Sequence, residues 1–137
     1  MTQEIIISGF GGQGVMLMGQ LLAYSGMLEE KHVSWLPSYG PEMRGGTANC
    51  NVIVSDDPVA SPIVNRANCV IAMNAPSLDK FEGAVLPGGM LFINSSLIDK
   101  KSSREDIDIY YIPANEIADQ LGNSRVANMV MVGSYIK

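Results

Sequence analysis

The chain has little of what self-contained active sites are usually built from. Its 137 residues include two cysteines, Cys50 and Cys69, and one histidine, His32. The cysteines lie far apart with no C-x-x-C between them, so the chain cannot assemble a four-ligand zinc site or an iron–sulfur cluster from its own residues. Two reduced, buried thiols are expected instead. One imidazole and no G-x-S-x-G elbow leave nothing for a hydrolytic triad. None of Tyr24, Tyr39, Tyr110, Tyr111 and Tyr135 is followed four residues later by lysine, the pairing a short-chain dehydrogenase needs. The formal charge of -5 and the lack of a Lys/Arg stripe argue against nucleic acid as a partner. No apolar run is long enough to span a membrane, and the first strand begins almost at once, without a basic n-region or apolar h-region. The expectation is a cytoplasmic protein that binds neither membrane nor nucleic acid.

What is present points to one domain over residues 1–137, with 47% hydrophobic residues to fill its core. Ile5, Ile6 and Ile7, bounded by polar residues, read as a short buried strand that breaks into glycines. Gly9, Gly11 and Gly14 then have the G-x-G-x-x-G spacing of a strand-to-helix phosphate loop, with Gly12 and Gln13 inside it. In such loops backbone N–H groups and the helix N-terminus face an anion. The same spacing also suits a tight crossover that binds nothing.

A helix is expected from Val15 to about Glu30. Leu17, Leu21, Tyr24 and Leu28 fall at helical spacing, and Val15, Met18 and Leu22 form an adjoining stripe, so the helix should be covered on most sides. Gly19 within it costs about 1 kcal/mol relative to alanine, which a close approach of the first strand or of a partner backbone would offset. Val33, Ser34, Trp35 and Leu36 resume as a second strand that Pro37 should stop. A dinucleotide site wants Asp or Glu just after that strand, for a ribose hydroxyl. The chain has Pro37 and Ser38 there, while Glu29 and Glu30 precede the strand and belong to the other end of the sheet. NAD binding through the usual ribose contact is therefore disfavoured; phosphate binding is not.

In place of the acid comes an aperiodic stretch over residues 38–49, SYGPEMRGGTAN. Its three glycines and one proline forbid helix, and Tyr39, Glu42 and Arg44 crowd aromatic and charged groups into the loop. Loops of this length without periodicity are commonly functional or disordered, and this mixture of rigid and charged residues favours function. The plainer alternative is a surface loop in which Glu42 and Arg44 pair for about 0 to 1 kcal/mol.

The combination of GFGGQGV at residues 9–15 with SYGPEMRGGTAN at 38–49 resembles the gamma subunit of 2-oxoacid:ferredoxin oxidoreductases. The resemblance continues through CVIAMN at 69–74 and GNSRVANM at 122–129, and so covers nearly the whole chain. It implies an enzyme of two to four kinds of chain that oxidatively decarboxylates a 2-oxoacid, with coenzyme A as co-substrate accepting the acyl group. Thiamine diphosphate with its magnesium is expected between alpha and beta subunits. Iron–sulfur clusters are expected on cysteine-rich chains, including a ferredoxin-like subunit. The gamma chain is implied to be a Rossmann-like, three-layer companion that binds none of these cofactors alone, and no Gly-Asp-Gly metal–diphosphate motif occurs here. The chain alone is expected to be inactive, with no catalytic residue and no metal ligand. A homodimer of the isolated chain is left open.

Downstream, residues 51–55 read as a third strand and residues 69–73 as a nearly all-apolar strand buried on both faces. Asn74, Ala75 and Pro76 open a helix around residues 77–81. Residues 86–89, LPGG, read as a turn before a strand at 90–94. The charged stretch 99–108 reads as a solvated loop, residues 109–112 as a last strand, and residues 113–121 as a helix. Alternation of strands and helices implies an α/β domain with a mostly parallel sheet, whose ligands and partners gather at the carboxyl ends of the strands. Both loops should emerge there, side by side. The candidate surface is therefore Gly9, Gly11, Gly12, Gln13, Gly14, Ser38, Tyr39, Glu42, Arg44 and Gly45, with Arg44 as partner of a phosphate or carboxylate. Residues 126–137 read as a terminal apolar helix that in the family continues further, serving either as a subunit contact or as ordinary core. The competing reading of the whole chain is a stand-alone nucleotide-binding or sensor module that uses the glycine loop.

Overall fold

Ile5, Ile6 and Ile7 are almost wholly removed from solvent in the middle of β1 (Thr2–Phe10), because this strand is covered on both faces and paired on both edges. A computed structural model describes residues 2–10, 14–38, 47–59, 61, 63–99, 101–123 and 126–136, with backbone alone at 10, 38, 47, 134 and 136. Along one edge of β1 runs β3 (Thr47–Ser55), antiparallel; along the other runs β4 (Ala67–Ala72), parallel. The sheet is completed by β2 (His32–Ser38), β5 (Val85–Asn94) and β6 (Asp108–Ile112), in the order β2-β3-β1-β4-β5-β6. Both β1 and β2 run antiparallel to β3, so five strands point one way and β3 alone points the other.

Helices cover both faces, giving three layers. On one face α1 (Val15–Leu28), α3 (Ala114–Gln120) and α4 (Ala127–Ile136) pack over Ile5, Ile7, Cys50, Val52, Cys69 and Ile71. On the other, α2 (Ala75–Phe81) sets Leu78 against Ile6, Val70, Leu91 and Ile93. The alternation within β1 decides this division, since successive side chains of a strand leave on opposite faces. The α/β class, the mostly parallel sheet and the three layers are thus as the sequence implies. Ala127, Met131 and Val132 are buried, which makes α4 part of the core.

Four local expectations are corrected. Pro37 does not stop β2: it pairs in register with Cys50, which is tolerable because β2 is an edge strand that can spare an N–H. The first two parallel strands are not neighbours, since β3 lies between them. Residues 86–89 lie inside β5, where Gly88 takes a φ of 83° and the pairing with β4 shifts register between Ala67 and Cys69. Gly19 answers neither to β1 nor to a partner backbone. A Cβ there would come within 2.5 Å of Cys50 Sγ and 2.8 Å of Trp35 Nε1, so the glycine lets α1 settle onto β3 and β2. The charged stretch is a loop as expected, fastened by Arg104, which donates to Asp106 and to the carbonyls of Glu82 and Val85.

Candidate docking rim

The rim in question is formed by the carboxyl ends of β1, β2, β4, β5 and β6 and by the start of β3. Thr47 pairs with Phe10, and Asn49 is opposite both Ser8 of β1 and Ser38 of β2. With neighbouring strands spaced ~4.8 Å apart, the ends of β1 and β2 lie about 10 Å from each other across β3. Both glycine-punctuated segments therefore leave the sheet at the same edge, and the second returns there to begin β3. Of the candidate residues, Gly9 is buried at the end of β1, Gly14 precedes α1, and Ser38 ends β2. Gly11, Gly12, Gln13, Tyr39, Glu42, Arg44 and Gly45 lie outside the described residues.

Gly14 has a φ of 76° and caps α1 without any side-chain bond. This left-handed conformation costs a side chain about 1–2 kcal/mol, and a Cβ would also lie 2.3 Å from the Asn128 side-chain nitrogen. The first intrahelical bond runs from Met18 N–H to the Gly14 carbonyl at 3.0 Å. The N–H groups of the turn before it have no partner within the helix and face the rim, where negative charge is favoured. Asn128, in the first turn of α4, thus braces the glycine turn from behind. No sequence signal marks that contact, which joins residues more than a hundred positions apart.

Two further asparagines stand on this rim and differ in how fully they are used. Asn94, at the end of β5, accepts from Ser96 N–H and Ala114 N–H and donates to Asn115 Oδ1. Asn74, two residues past β4, is 1% exposed; its Oδ1 accepts from Ser77 N–H at 2.9 Å, capping α2, while its Nδ2 has no partner among the described residues. Ser8 and Ser77 join their hydroxyls nearby at 2.7 Å, and Met73 N–H donates to the Ser8 carbonyl. The Asn-Ala-Pro opening shows α2 in the sequence, but neither the link to Ser8 nor the idle amide.

The cysteines are free and buried, one on β3 and one on β4. Burial pushes the Cys50 thiol up to about 12, and burial likewise raises Cys69. Thiols held protonated in this way are neither nucleophiles nor metal ligands. Among the described residues no three of His, Cys, Asp and Glu come together as a metal site. Two shallow clefts of about 270 and 320 Å³ open at the opposite rim, one beside Thr2, Glu4 and Ser55, the other beside Gln3, Gly88 and Asp108. Among the described residues no helix is long and apolar enough to cross a membrane.

Comparison with known proteins gives this rim a context. Residues 4–137 match the family model described as pyruvate ferredoxin/flavodoxin oxidoreductase. The ketoisovalerate oxidoreductase subunit VorA of Methanothermobacter marburgensis is 45% identical over 95% of this chain, which spans only 27% of that relative. The 2-oxoglutarate synthase subunit KorC of Methanocaldococcus jannaschii is 34% identical over the whole chain and 75% of its own length. Among solved structures, the gamma subunit of a keto/oxoacid ferredoxin oxidoreductase from Geobacter sulfurreducens superposes with a TM-score of 0.83 at 29% identity, covering 98% of this chain and 75% of that one.

Proposed function

Because the chain belongs to the pyruvate ferredoxin/flavodoxin oxidoreductase family, we propose that it is the gamma-type unit of a cytoplasmic, multi-chain 2-oxoacid:ferredoxin oxidoreductase. In that enzyme a 2-oxoacid and coenzyme A yield acyl-coenzyme A and carbon dioxide, and the electron pair released leaves for a ferredoxin-type acceptor. Alpha and beta chains hold the thiamine diphosphate and its magnesium, and a ferredoxin-like chain holds the clusters. The present unit supplies a docking rim and no catalytic group. The observation that carries this reading is the common edge at which the segments after Gly9 and Ser38 leave the sheet.

At that edge the first turn of α1, entered through Gly14, presents N–H groups that have no partner inside the helix, and Arg44 on the second segment supplies a fixed positive charge. Together they suit a phosphate or carboxylate at the border with the alpha chain, close to the coenzyme A cavity. Chains similar to this one are named for different 2-oxoacids, ketoisovalerate and 2-oxoglutarate, which supports selection of the acid elsewhere in the assembly.

Arg44→Ala in the assembled enzyme tests the role. Loss of the bidentate partner should cost about tenfold or more in the KM for coenzyme A, or release the gamma unit on gel filtration. Intact assembly with unchanged coenzyme A kinetics removes Arg44 from the interface.

A further inference from the structure

The outward face of α1 carries Leu17, Leu21, Tyr24 and Leu28, exposed by 48, 36, 57 and 68% respectively. Their intervals of four, three and four residues are those of a two-heptad coiled-coil seam, d-a-d-a, the pattern that seats another helix. None of the fourteen residues of α1 is charged, although the chain as a whole carries a net charge of -5. Two copies of an acidic chain repel each other over most of their surfaces. This uncharged face lets them approach without that cost.

The seam is also its own complement. A twofold axis passing between residues 22 and 23 places Leu17 against Leu28 of a second copy and Leu21 against its Tyr24. The flanking polar pair, Gln20 and Ser25, obeys the same symmetry. In an antiparallel coiled coil a-positions meet d-positions, as this arrangement requires. We propose that the exposed face of α1 seats a second copy of this chain, as an antiparallel α1 pair about a twofold axis. A contact of one helix per copy lies near or below the ~1,200 Å² at which stable interfaces begin, so the dimer dissociates on dilution. The interface runs along the outward face of α1, away from the rim except at Leu17, and neither reading depends on the other.

Sedimentation equilibrium of the full chain over a dilution series tests the proposal. The expected result is twice the monomer mass at high concentration, passing to monomer on dilution. Leu21→Lys and Tyr24→Glu, both at exposed positions and checked for an unchanged circular dichroism melt, should each give monomer alone. Mixed, they should form a dimer again, because the new lysine of one chain faces the new glutamate of the other while the second Leu21–Tyr24 contact is native. A wild-type chain that is monomeric throughout overturns the proposal. So does a dimer indifferent to Leu21→Lys, or failure of the two variants to pair, or a wild-type monomer whose α1 face is taken by a different subunit.

Discussion

The two faces of α1 are nearly equal in hydrophobicity and opposite in fate. The inner one, with Val15, Met18, Gly19, Leu22, Ala23 and Gly26, is buried against β1, β2 and β3. The outer one, with Leu17, Leu21, Tyr24 and Leu28, meets solvent. What separates them is the distribution of small residues. Gly19 and Gly26 sit where a Cβ would strike Cys50 and Trp35, or Val33 and Val54, whereas the outer stripe contains no residue smaller than leucine. Close backbone approach marks the face that packs on its own sheet; bulk without charge marks the face left for another molecule.

That contrast can be broken most directly with alanine. Met18→Ala or Leu22→Ala removes packed core atoms and should lower unfolding free energy by about 2–5 kcal/mol, whereas Leu21→Ala in dilute, monomeric chain should stay within about 0.5 kcal/mol. Equal losses in urea titrations would erase the distinction. The glycines sharpen it further. Gly19→Ala must displace Cys50 or Trp35 and should cost about 1–3 kcal/mol, while Gly133→Ala on α4 meets nothing within 4 Å and should gain about 0.4–1 kcal/mol. Thermal melts of the two variants should move in opposite directions.

Smaller effects follow from the inner face and its surroundings. Cys50, beneath Gly19, donates its S–H to the Val15 carbonyl at 3.6 Å. A disulfide reagent should therefore modify neither thiol in the native chain, and both at the rate of global unfolding; fast modification of Cys50 would mean that the inner face opens by itself. Just beyond the C-terminus of α1, Lys31 pairs with Asp56 on the surface. The lysine lowers the Asp56 carboxyl from its ordinary 3.8 to about 2, and the aspartate raises Lys31 above its ordinary 10.5. A lowered carboxyl stabilises the fold fully above 3.8 and loses that contribution as pH falls through about 2. A raised ammonium contributes fully below 10.5 and loses its contribution as pH climbs past its raised value. Asp56→Asn should lower stability slightly across the neutral range, where both contributions are complete, and make no difference at the acid and alkaline extremes, so that both limbs of the stability–pH curve flatten.

Much of the fold was legible in the sequence because its signals are local. The three isoleucines, the glycine turn, the Asn-Ala-Pro helix start and the all-apolar β4 each carry their conformation in a few adjacent residues. What escaped depends on tertiary pairing. That Pro37 continues β2 follows from β2 being an edge, and that β3 separates β1 from β2 follows from the chain doubling back after residue 46. Asn128 behind Gly14 and the Ser8–Ser77 hydroxyl pair are contacts between distant segments, which no spacing predicts. Periodicity made α1 apolar all round, but could not tell which of its stripes the chain covers with its own residues. For the rim, the shared edge of the two signature segments came from the α/β alternation, while Tyr39, Glu42, Arg44 and Gly45 stand on the sequence alone.

Reconstitution tests the central claim, that this unit completes an oxidoreductase without doing chemistry by itself. Ferredoxin or viologen reduction would be followed with a 2-oxoacid and coenzyme A, using the partner chains with and without this one, and this chain alone. The account predicts no turnover from the chain alone and full turnover only when it joins its partners. Reduction by the chain alone, or undiminished turnover in its absence, would contradict it.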